Sequence, residues 1–429
     1  MAKIIGFKRL SRYWALYGFV LPSVALVALF AYFPAASAIY HAFYRWNCST
    51  VEDFIGLENF RRLLGWEPLL WGLFALWVVL LLATLTRKPD WARRWAPWAL
   101  LGLAGAAGGV FWLAGPGAAG RFGLNAAELQ VWFPRALACT AAGVFLHAAV
   151  RRWWSEWLRG LLCLYGFLWF FYQAMMQTGD KLLWSGFAVT FILVVASIVK
   201  MLPSILTAVV LHRLASDRWQ YFYRVLFVIP MIIPGMVYLL LWKFFYDPTQ
   251  GVLNRLLNAS GGMAVLNGLD TLFHWGIFQA GQNPSWLGDA TLVIPSLIFW
   301  GFPWVGVVGV LIFLAGLQSI SKDVYEAADV DGINWWRKFV HIELPLIATQ
   351  VRIMLVLLII GELQSFGNIL IVLGDSGGPQ GVGMVPGLYM FRNAFIEGNA
   401  GYACAIGLIL FAFILILTEI NNRYVRVDK

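Results

Sequence analysis

Charged side chains are scarce in this 429-residue chain. Asp, Glu, Lys and Arg make up 12% of the residues, whereas a soluble domain typically carries about 25%. Hydrophobic residues make up 61%, and apolar runs of about 18 residues or more, each long enough to cross a bilayer as a helix, recur along the chain. These runs lack the alternation of a barrel strand. The composition therefore excludes a soluble globular protein and predicts an all-α, polytopic membrane protein.

Cysteine and histidine are too few and too scattered to build a metal centre. The four cysteines show no CxxC or Cys/His ligand spacing, and we interpret them as small buried residues without a disulfide. The five histidines do not converge with carboxylates in a ligand pattern. A phosphate-binding G-x-x-x-x-G-K-[ST] loop is also missing. We therefore expect no catalytic, metal or cofactor site, and no ATP hydrolysis through such a loop in this chain.

The net charge of +9 is dispersed in short loops between the apolar runs, which does not favour a nucleic-acid surface. The first run, residues 13–33, exceeds the length of a cleaved signal and is interpreted as a spanning helix. Lys and Arg are enriched in alternate loops, which predicts a multi-pass membrane protein with both termini in the cytoplasm. The predicted spans are 13–36, 69–86, 97–115, 133–150, 160–177, 184–211, 225–246, 291–317, 351–373 and 402–420.

Three regions follow from this pattern. Residues 1–65 contain the first span and an external segment with an amphipathic stretch at 57–64. Residues 66–183 contain 12 of the 23 tryptophans and about four spans, and we interpret them as an inserted block. Residues 184–429 contain five further spans and one long cytoplasmic loop, 319–349.

The loop 319–349 has the residues of a helix–turn–helix. Ser321 can cap a first helix, and Gly332 suits the left-handed position that ends it. Asn334 can cap a second helix, and Pro345 is expected to stop that helix before the next span. Two adjacent alanines, residues 327–328, predict a shallow surface that a partner backbone can approach. These features alone also fit an ordinary surface loop between two spans.

The same loop resembles the permease subunits of ABC importers. Their signature is E-A-A, three residues, G, nine residues, then I-x-L-P, and the spacing is intact here. The residues that carry the resemblance, together with Asp331 inside it, are Glu326, Ala327, Ala328, Asp331, Gly332, Ile342, Leu344 and Pro345. The resemblance implies that this loop couples the chain to a cytoplasmic ATPase, with six of the ten spans forming the family core.

Further stretches resemble the sugar-type branch of that family. They include Gly56–Phe60 after the first span, Gly377–Pro379 in the external turn after the fifth family span, and Gly401–Ala403 at the start of the last span. Three features depart from the pattern: Ile320–Ser321 replaces the usual Ile-Pro, the usual Asn-Thr near Thr190 is not evident, and residues 66–183 have no counterpart. The resemblance implies import of a sugar or related polyol.

The partners that the resemblance implies are cytoplasmic ATP-binding subunits, a second and different permease chain, a periplasmic or lipid-anchored solute-binding protein, and membrane lipid. It implies no nucleic acid. An ion-coupled secondary transporter and a membrane-embedded transferase remain alternatives, although neither inverted repeats nor converging catalytic groups are evident. A non-transporting scaffold is a third alternative.

Polar residues inside a span predict a solute pathway. A carboxylate in a span is costly and is expected to face a cavity or the bundle interior. The candidates lie in the span 351–373, and a continuous helix would place them on one broad face: Glu362, Gln364, Ser365 and Asn368. An interhelical hydrogen-bond cluster that only fixes packing is the alternative. Lys200 and Pro203, in the middle of the span 184–211, suggest a break or a gate there.

Overall fold

The computed structural model describes residues 14–65, 175–176, 179–214, 216–274, 276–279 and 281–424. The spans predicted at 69–86, 97–115, 133–150 and 160–177 lie outside this part, apart from helical Met175 and Met176. The chain divides into two compact units. One comprises Met1–Asn59 with Gly186–Lys429, and the other comprises Phe60–Ser185.

The first predicted span is helical. It consists of α1 (Trp14–Val27), a π-helical turn (Ala28–Tyr32) and α2 (Phe33–His41). Together they form an apolar helix that is long enough to cross a membrane over Gly18–His41. The π-helical turn lies just before Pro34, where a missing backbone N–H removes one regular helical hydrogen bond.

A small β-hairpin follows this helix and was not predicted from the sequence. Strands β1 (Tyr44–Trp46) and β2 (Val51–Phe54) pair antiparallel, and α3 (Glu58–Leu64) comes next, as the amphipathic pattern predicts. The buried Asn59 side chain donates to the carbonyl oxygens of Ala42 (2.8 Å) and Tyr44 (3.3 Å). This amide therefore fixes the hairpin to the end of α2.

One long helix, α4 (Lys181–His212), covers the predicted span 184–211 without interruption. The predicted break at Lys200 and Pro203 is therefore wrong. Proline removes one backbone hydrogen bond, but an apolar helix in a packed bundle tolerates this loss. The ammonium of Lys200 lies within 3.3 Å of the carbonyl oxygen of Leu297, so its polarity is satisfied without unwinding the helix.

Three of the predicted spans are broken rather than continuous. The span 225–246 bends by 86° beside Pro234, and the span 291–317 is interrupted by a turn over residues 300–306. The span 351–373 is interrupted at Ser365 and Phe366. The helices concerned are α5 (Asp217–Val228) with a 3₁₀ turn (Ile229–Ile232), α6 (Gly235–Phe245), α9 (Val293–Phe299), α10 (Val307–Gln318), α14 (Ala348–Gln364) and α15 (Gly367–Leu373).

Two amphipathic helices lie between α6 and α9. They are α7 (Val252–Ala259) and α8 (Gly262–Phe273). A turn at each end of this segment is closed by an aspartate. The backbone N–H of Gln250 and the hydroxyl and N–H of Thr249 donate to Asp247 and lower its pKa. The hydroxyl and N–H of Thr291 lower the pKa of Asp289 in the same way.

The last part of the described chain packs against the hairpin. It contains a 3₁₀ turn (Pro379–Gly381), α16 (Pro386–Phe395) and α17 (Ala400–Tyr424). A side chain at Gly401 would place its Cβ 2.2 Å from the carbonyl oxygen of Tyr44 and 3.1 Å from that of His41. The start of α17 and the hairpin therefore approach each other backbone to backbone.

Within the described residues, two helices are long and apolar enough to cross a membrane, Gly18–His41 and Lys181–His212. The number rises to five when each of three bent helix pairs is counted as one span. An apolar core lies where the C-terminal half of α4 meets α10 and the start of α14. Its fully buried members include Ile205, Val209, Phe313, Leu317 and Ile347.

Candidate functional site

The predicted helix–turn–helix is present between α10 and α14. Its first helix, α11 (Lys322–Val330), is followed by a turn at Gly332, which has the left-handed φ of +66°. The N–H of Ile333 donates to the carbonyl oxygen of Ala328, and that of Gly332 to Asp329, each over 3.1 Å. These two bonds form a Schellman turn. The prediction that Gly332 ends the first loop helix in a left-handed conformation is therefore confirmed. The predicted cap is wrong, because the Ser321 side chain makes no capping hydrogen bond to α11.

The second helix begins and ends where it was predicted. Asn334 accepts a hydrogen bond from the backbone N–H of Arg337 (2.9 Å) and so caps α12 (Trp335–Lys338). The helix continues through a π-helical turn (Phe339–Glu343) and α13 (Leu344–Leu346). The helix ends at Leu346, directly after Pro345, and a 70° bend at Ile347 separates it from α14, so it does not run on into the next span, as predicted.

The signature residues of the loop differ in exposure. Glu326, Ala327, Asp331 and Gly332 are exposed on one corner of the loop. Ala328 is 3% exposed and packs against the chain itself, so the shallow surface predicted for the alanine pair is formed at Ala327 alone. Ile342 and Leu344 are half-buried, and Pro345 is exposed.

A buried ion pair attaches the loop to α4 and was not foreseen. The guanidinium of Arg213 donates from Nε and Nη2 to the two carboxylate oxygens of Glu343, over 2.9 and 2.6 Å. The Glu343 side chain is fully buried. Glu343 occupies the variable position of I-x-L-P, so the motif itself gave no signal.

A stripe of polar side chains lies on α4, in the middle of its apolar run. Ser197, Lys200 and Ser204 are spaced three and four residues apart and share one face of the helix. The hydroxyl of Ser197 donates to Glu362 over 2.8 Å. Lys200 Nζ donates to the carbonyl oxygens of Leu297 (3.3 Å) and Trp300 (3.5 Å). This stripe therefore connects α4 to both of the interrupted spans that face it.

Ser204 satisfies the turn that interrupts the span 291–317. Its hydroxyl donates to the carbonyl oxygen of Trp304 over 3.3 Å and accepts from the N–H of Gly306 over 2.8 Å. Unpaired backbone groups at membrane depth are tolerated only where protein or a water-filled cavity meets them. Ser204 and Lys200 supply that compensation.

The four predicted pathway residues do not share one helical face. Glu362 and Gln364 end α14, Ser365 lies in the extended break, and Asn368 belongs to α15. Glu362 is half-buried and bound to Ser197, whereas Gln364 and Asn368 are exposed. The break between α14 and α15 follows Glu362, which binds the polar stripe of α4 through Ser197. Transporters commonly bind solutes at interrupted helices of this kind.

Aromatic rings border this polar region. Trp300, whose carbonyl oxygen accepts from Lys200, stacks on Trp242 with ring centroids 5.9 Å apart and planes 20° apart. Tyr238 lies 6.5 Å from Trp300 in an edge contact. The hydroxyl of the buried Tyr246 donates to the carbonyl oxygen of Ser296 (2.8 Å). No cluster of three potential metal ligands is present among the described residues.

These features define a class, a polytopic helical membrane protein with an exposed corner on one loop and polar side chains inside its apolar helices. Residues 183–426 match the model of the family described as "Binding-protein-dependent transport system inner membrane component". This match covers more than half of the chain, which therefore belongs to that family of ABC transporter permease components.

Two curated relatives and one solved structure illustrate the similarity. The probable ABC transporter permease protein YurN of Bacillus subtilis is 29% identical over 55% of this chain and 74% of its own length. The diacetylchitobiose uptake system permease protein NgcF of Streptomyces coelicolor is 30% identical over 47% of this chain and 53% of its own. A bacterial ABC transporter for alginate import has a TM-score of 0.48 and 20% identity, covering 64% of this chain and 97% of the other.

Proposed function

We propose that this chain is the membrane permease subunit of an ATP-driven importer, and that it translocates a sugar or related polyol delivered by an external binding protein. The observation that carries the proposal is the exposed corner formed by Glu326, Ala327 and Gly332. It combines an acidic group, a shallow surface and a fixed Schellman turn. Such a corner suits insertion into a groove on a soluble subunit.

The partners follow from this geometry and from the family. We infer that cytoplasmic ATP-binding subunits receive the corner, with the Glu326 carboxylate available for a charge-assisted contact. A second, different permease chain is expected to complete the pathway. The family description includes transport that depends on a binding protein, which supports an external solute-binding subunit as the third partner.

The solute class rests on the groups at membrane depth. Ser197, Lys200 and Glu362 offer hydroxyl, ammonium and carboxylate groups, and Trp300 and Trp242 present aromatic faces close by. Sugar hydroxyls require such polar partners, and sugar C–H faces pack well on aromatic rings. The relative NgcF is described as part of a diacetylchitobiose uptake system, which supports a carbohydrate rather than an ion.

The test is reconstitution in proteoliposomes with the proposed partners: an ATP-binding subunit, a second permease chain and a solute-binding protein. Uptake would be measured with a panel of ¹⁴C-labelled neutral oligosaccharides and with ATP present or absent. We expect ATP-dependent uptake of at least one member, and its loss in Glu326→Ala, which changes an exposed side chain only.

Two results would refute the proposal. Uptake driven by an ion gradient without ATP would indicate a secondary transporter. Turnover of a sugar donor by the isolated chain would indicate a membrane-embedded transferase. If uptake in Glu326→Ala is unchanged and still depends on ATP, the exposed corner is not required for ATP-driven uptake.

A further inference from the structure

We propose that Arg213 is a positioning residue that clamps the coupling loop to the cytoplasmic end of α4, so that displacement of the loop by the ATPases moves α4 with it. This inference rests on the proposed function. It identifies α4 as the helix that transmits the displacement of the loop to the solute pathway. The clamp consists of Arg213, Glu343 and Trp335.

The first step is the strength of the ion pair. Arg213 contacts both carboxylate oxygens of Glu343 in a forked geometry, and Glu343 is completely buried. Bidentate Arg–carboxylate pairs are directional as well as strong. Separating a buried pair leaves an unpaired charge away from water, which is strongly unfavourable. The pair is therefore expected to stay closed throughout the transport cycle.

The second step is that Arg213 also holds the start of the second loop helix. Its Nη1 and Nη2 atoms lie 3.4 and 3.5 Å from the carbonyl oxygen of Trp335. The guanidinium also lies 4.7 Å from the centroid of the Trp335 ring, in a cation–π contact. One side chain thus binds both ends of the segment from Trp335 to Glu343, which prevents that segment from sliding along α4.

The third step connects this segment to the docking corner. Lys338 forms an ion pair with Asp329 near the end of α11, and so braces α12 against the first loop helix. Tyr325, on α11, faces the clamp: burial and the neighbouring Glu343 carboxylate raise the pKa of its hydroxyl. Phe339 is buried in the core that includes Val209 of α4. The corner, both loop helices and the end of α4 are therefore one packed body.

The fourth step is the path from α4 into the membrane. Because α4 is unbroken from Lys181 to His212, it transmits a displacement at Arg213 along its length. Lys200 lies thirteen residues before Arg213, or roughly 20 Å along the axis. Ser197 and Lys200 bind Glu362 and the carbonyl oxygens of Leu297 and Trp300. Movement of the clamp therefore acts directly on the polar groups of the proposed pathway.

The deciding variant is the double substitution Arg213→Met with Glu343→Leu. Replacing both members of a buried ion pair by apolar residues of similar size is often tolerated by the fold. The variant should therefore insert and assemble with its partners, and ATP hydrolysis should continue. We expect the uptake per ATP hydrolysed to fall about fivefold or more, which is the range of a typical coupling free energy. The solute would be the best member of the oligosaccharide panel.

A second readout follows the clamp itself. Spin labels would be placed at Val199 on α4 and Val324 on α11, both exposed, in a chain without native cysteines. In the otherwise unchanged complex, the distance between the labels should stay constant when ATP and vanadate are added. In the double variant it should change or broaden, because α4 and the loop then move independently.

The matched control is Arg392→Gln with Glu397→Gln, a partly exposed ion pair (3.0 Å) between α16 and the residues that follow it. It should alter neither readout. A double variant with unchanged uptake per ATP and a constant label distance would overturn the proposal.

If the double variant fails to assemble, Arg213→Lys provides the decision. Lysine keeps the charge next to Glu343 but lacks the forked geometry and the stacking on Trp335, so a partial loss of coupling is expected. Full coupling in Arg213→Lys would then reject the clamp. Absence of ATP-driven uptake in the unmodified complex would instead reject the proposed function.

Discussion

At the scale of single residues, Gly332 has the most constrained backbone in the docking corner. Its φ of +66° is strained for any residue with a branched side chain, whereas open space surrounds the position of a Cβ atom. A substitution here therefore tests backbone conformation without any steric clash.

We expect Gly332→Val to abolish ATP-dependent uptake while membrane insertion stays normal, because the Schellman turn cannot form with valine. Gly332→Asn is the matched control, since asparagine tolerates the left-handed region better than other residues do, and it should retain most of the uptake. Equal uptake in both variants and in the unmodified chain would show that uptake does not require the left-handed backbone at residue 332.

Glu362 is the pathway candidate with a defined partner. Glu362→Gln keeps an acceptor for the hydroxyl of Ser197 and removes the charge, whereas Glu362→Leu removes both. We expect Glu362→Leu to lower uptake at least as strongly as Glu362→Gln, and to lower thermal stability by about 1 kcal/mol through the lost hydrogen bond. Uptake kinetics and thermal unfolding of the purified complex separate the two effects. Unchanged uptake in both variants would assign Glu362 to packing alone.

The residue scale also shows why sequence reasoning succeeded at some positions and failed at others. Gly332 and Asn334 were predicted because a left-handed turn and a helix cap each demand a few residue types. Glu343 was missed because its partner, Arg213, lies 130 residues away in sequence. A salt bridge at such a separation has no local signal, and the motif leaves that position open.

At the scale of elements, the cap of α12 offers a direct test. Asn334→Ala removes the hydrogen bond to the N–H of Arg337 and should cost about 1 kcal/mol of local stability. Asn334→Asp retains an acceptor at the same atom and is the control. Hydrogen exchange at residues 335–338 should accelerate about fivefold in Asn334→Ala only. Equal protection in both variants would show that packing of Trp335 and Phe339 alone holds the helix.

The three interrupted spans show that hydropathy alone does not predict where a membrane helix breaks. The spans at 225–246, 291–317 and 351–373 are apolar enough on average to predict three continuous helices, and the structure interrupts each of them. Pro234 and the run Gly301–Trp304 were visible signals of the first two breaks. The break at Ser365 has a weaker signal, since a serine before phenylalanine does not by itself end a helix.

The small hairpin after α2 was missed for a related reason. Its strands are three and four residues long, too short to show a period of two. Their pairing depends on Asn59 and on the close approach of Gly401, which are distant contacts that no local pattern encodes.

At the scale of the whole molecule, the predicted orientation in the membrane awaits a test. The coupling loop should face the cytoplasm and the segment between α6 and α9 the outside, if both termini are cytoplasmic. Val330 and Val265 are strongly exposed sites in these two segments, at 88% and 63%. In a chain without native cysteines, Val330→Cys should react with a membrane-impermeant maleimide only in inside-out vesicles. Val265→Cys should react only in intact spheroplasts, and the opposite pattern would reject the coupling role.

The region 66–183 is proposed as an insertion into the family core, because the family match begins at residue 183. Removing an even number of spans leaves the orientation of all later spans unchanged. We therefore expect a chain that lacks residues 66–183, joined by a short Gly/Ser linker, to keep the labelling pattern of Val330→Cys. Deletion of residues 66–90, which removes one predicted span, is the control that should disturb the pattern. An inverted pattern in the longer deletion would mean an odd number of spans.

The contact at Gly401 has a consequence for how the family core can diversify. The last helix meets the first hairpin where even a single methyl group would collide with a main-chain oxygen. Substitutions elsewhere in the hairpin can change its solvent-facing side, but residue 401 has no room for a side chain larger than that of glycine. Any homologue that keeps this arrangement is expected to retain a glycine there, whatever solute it carries.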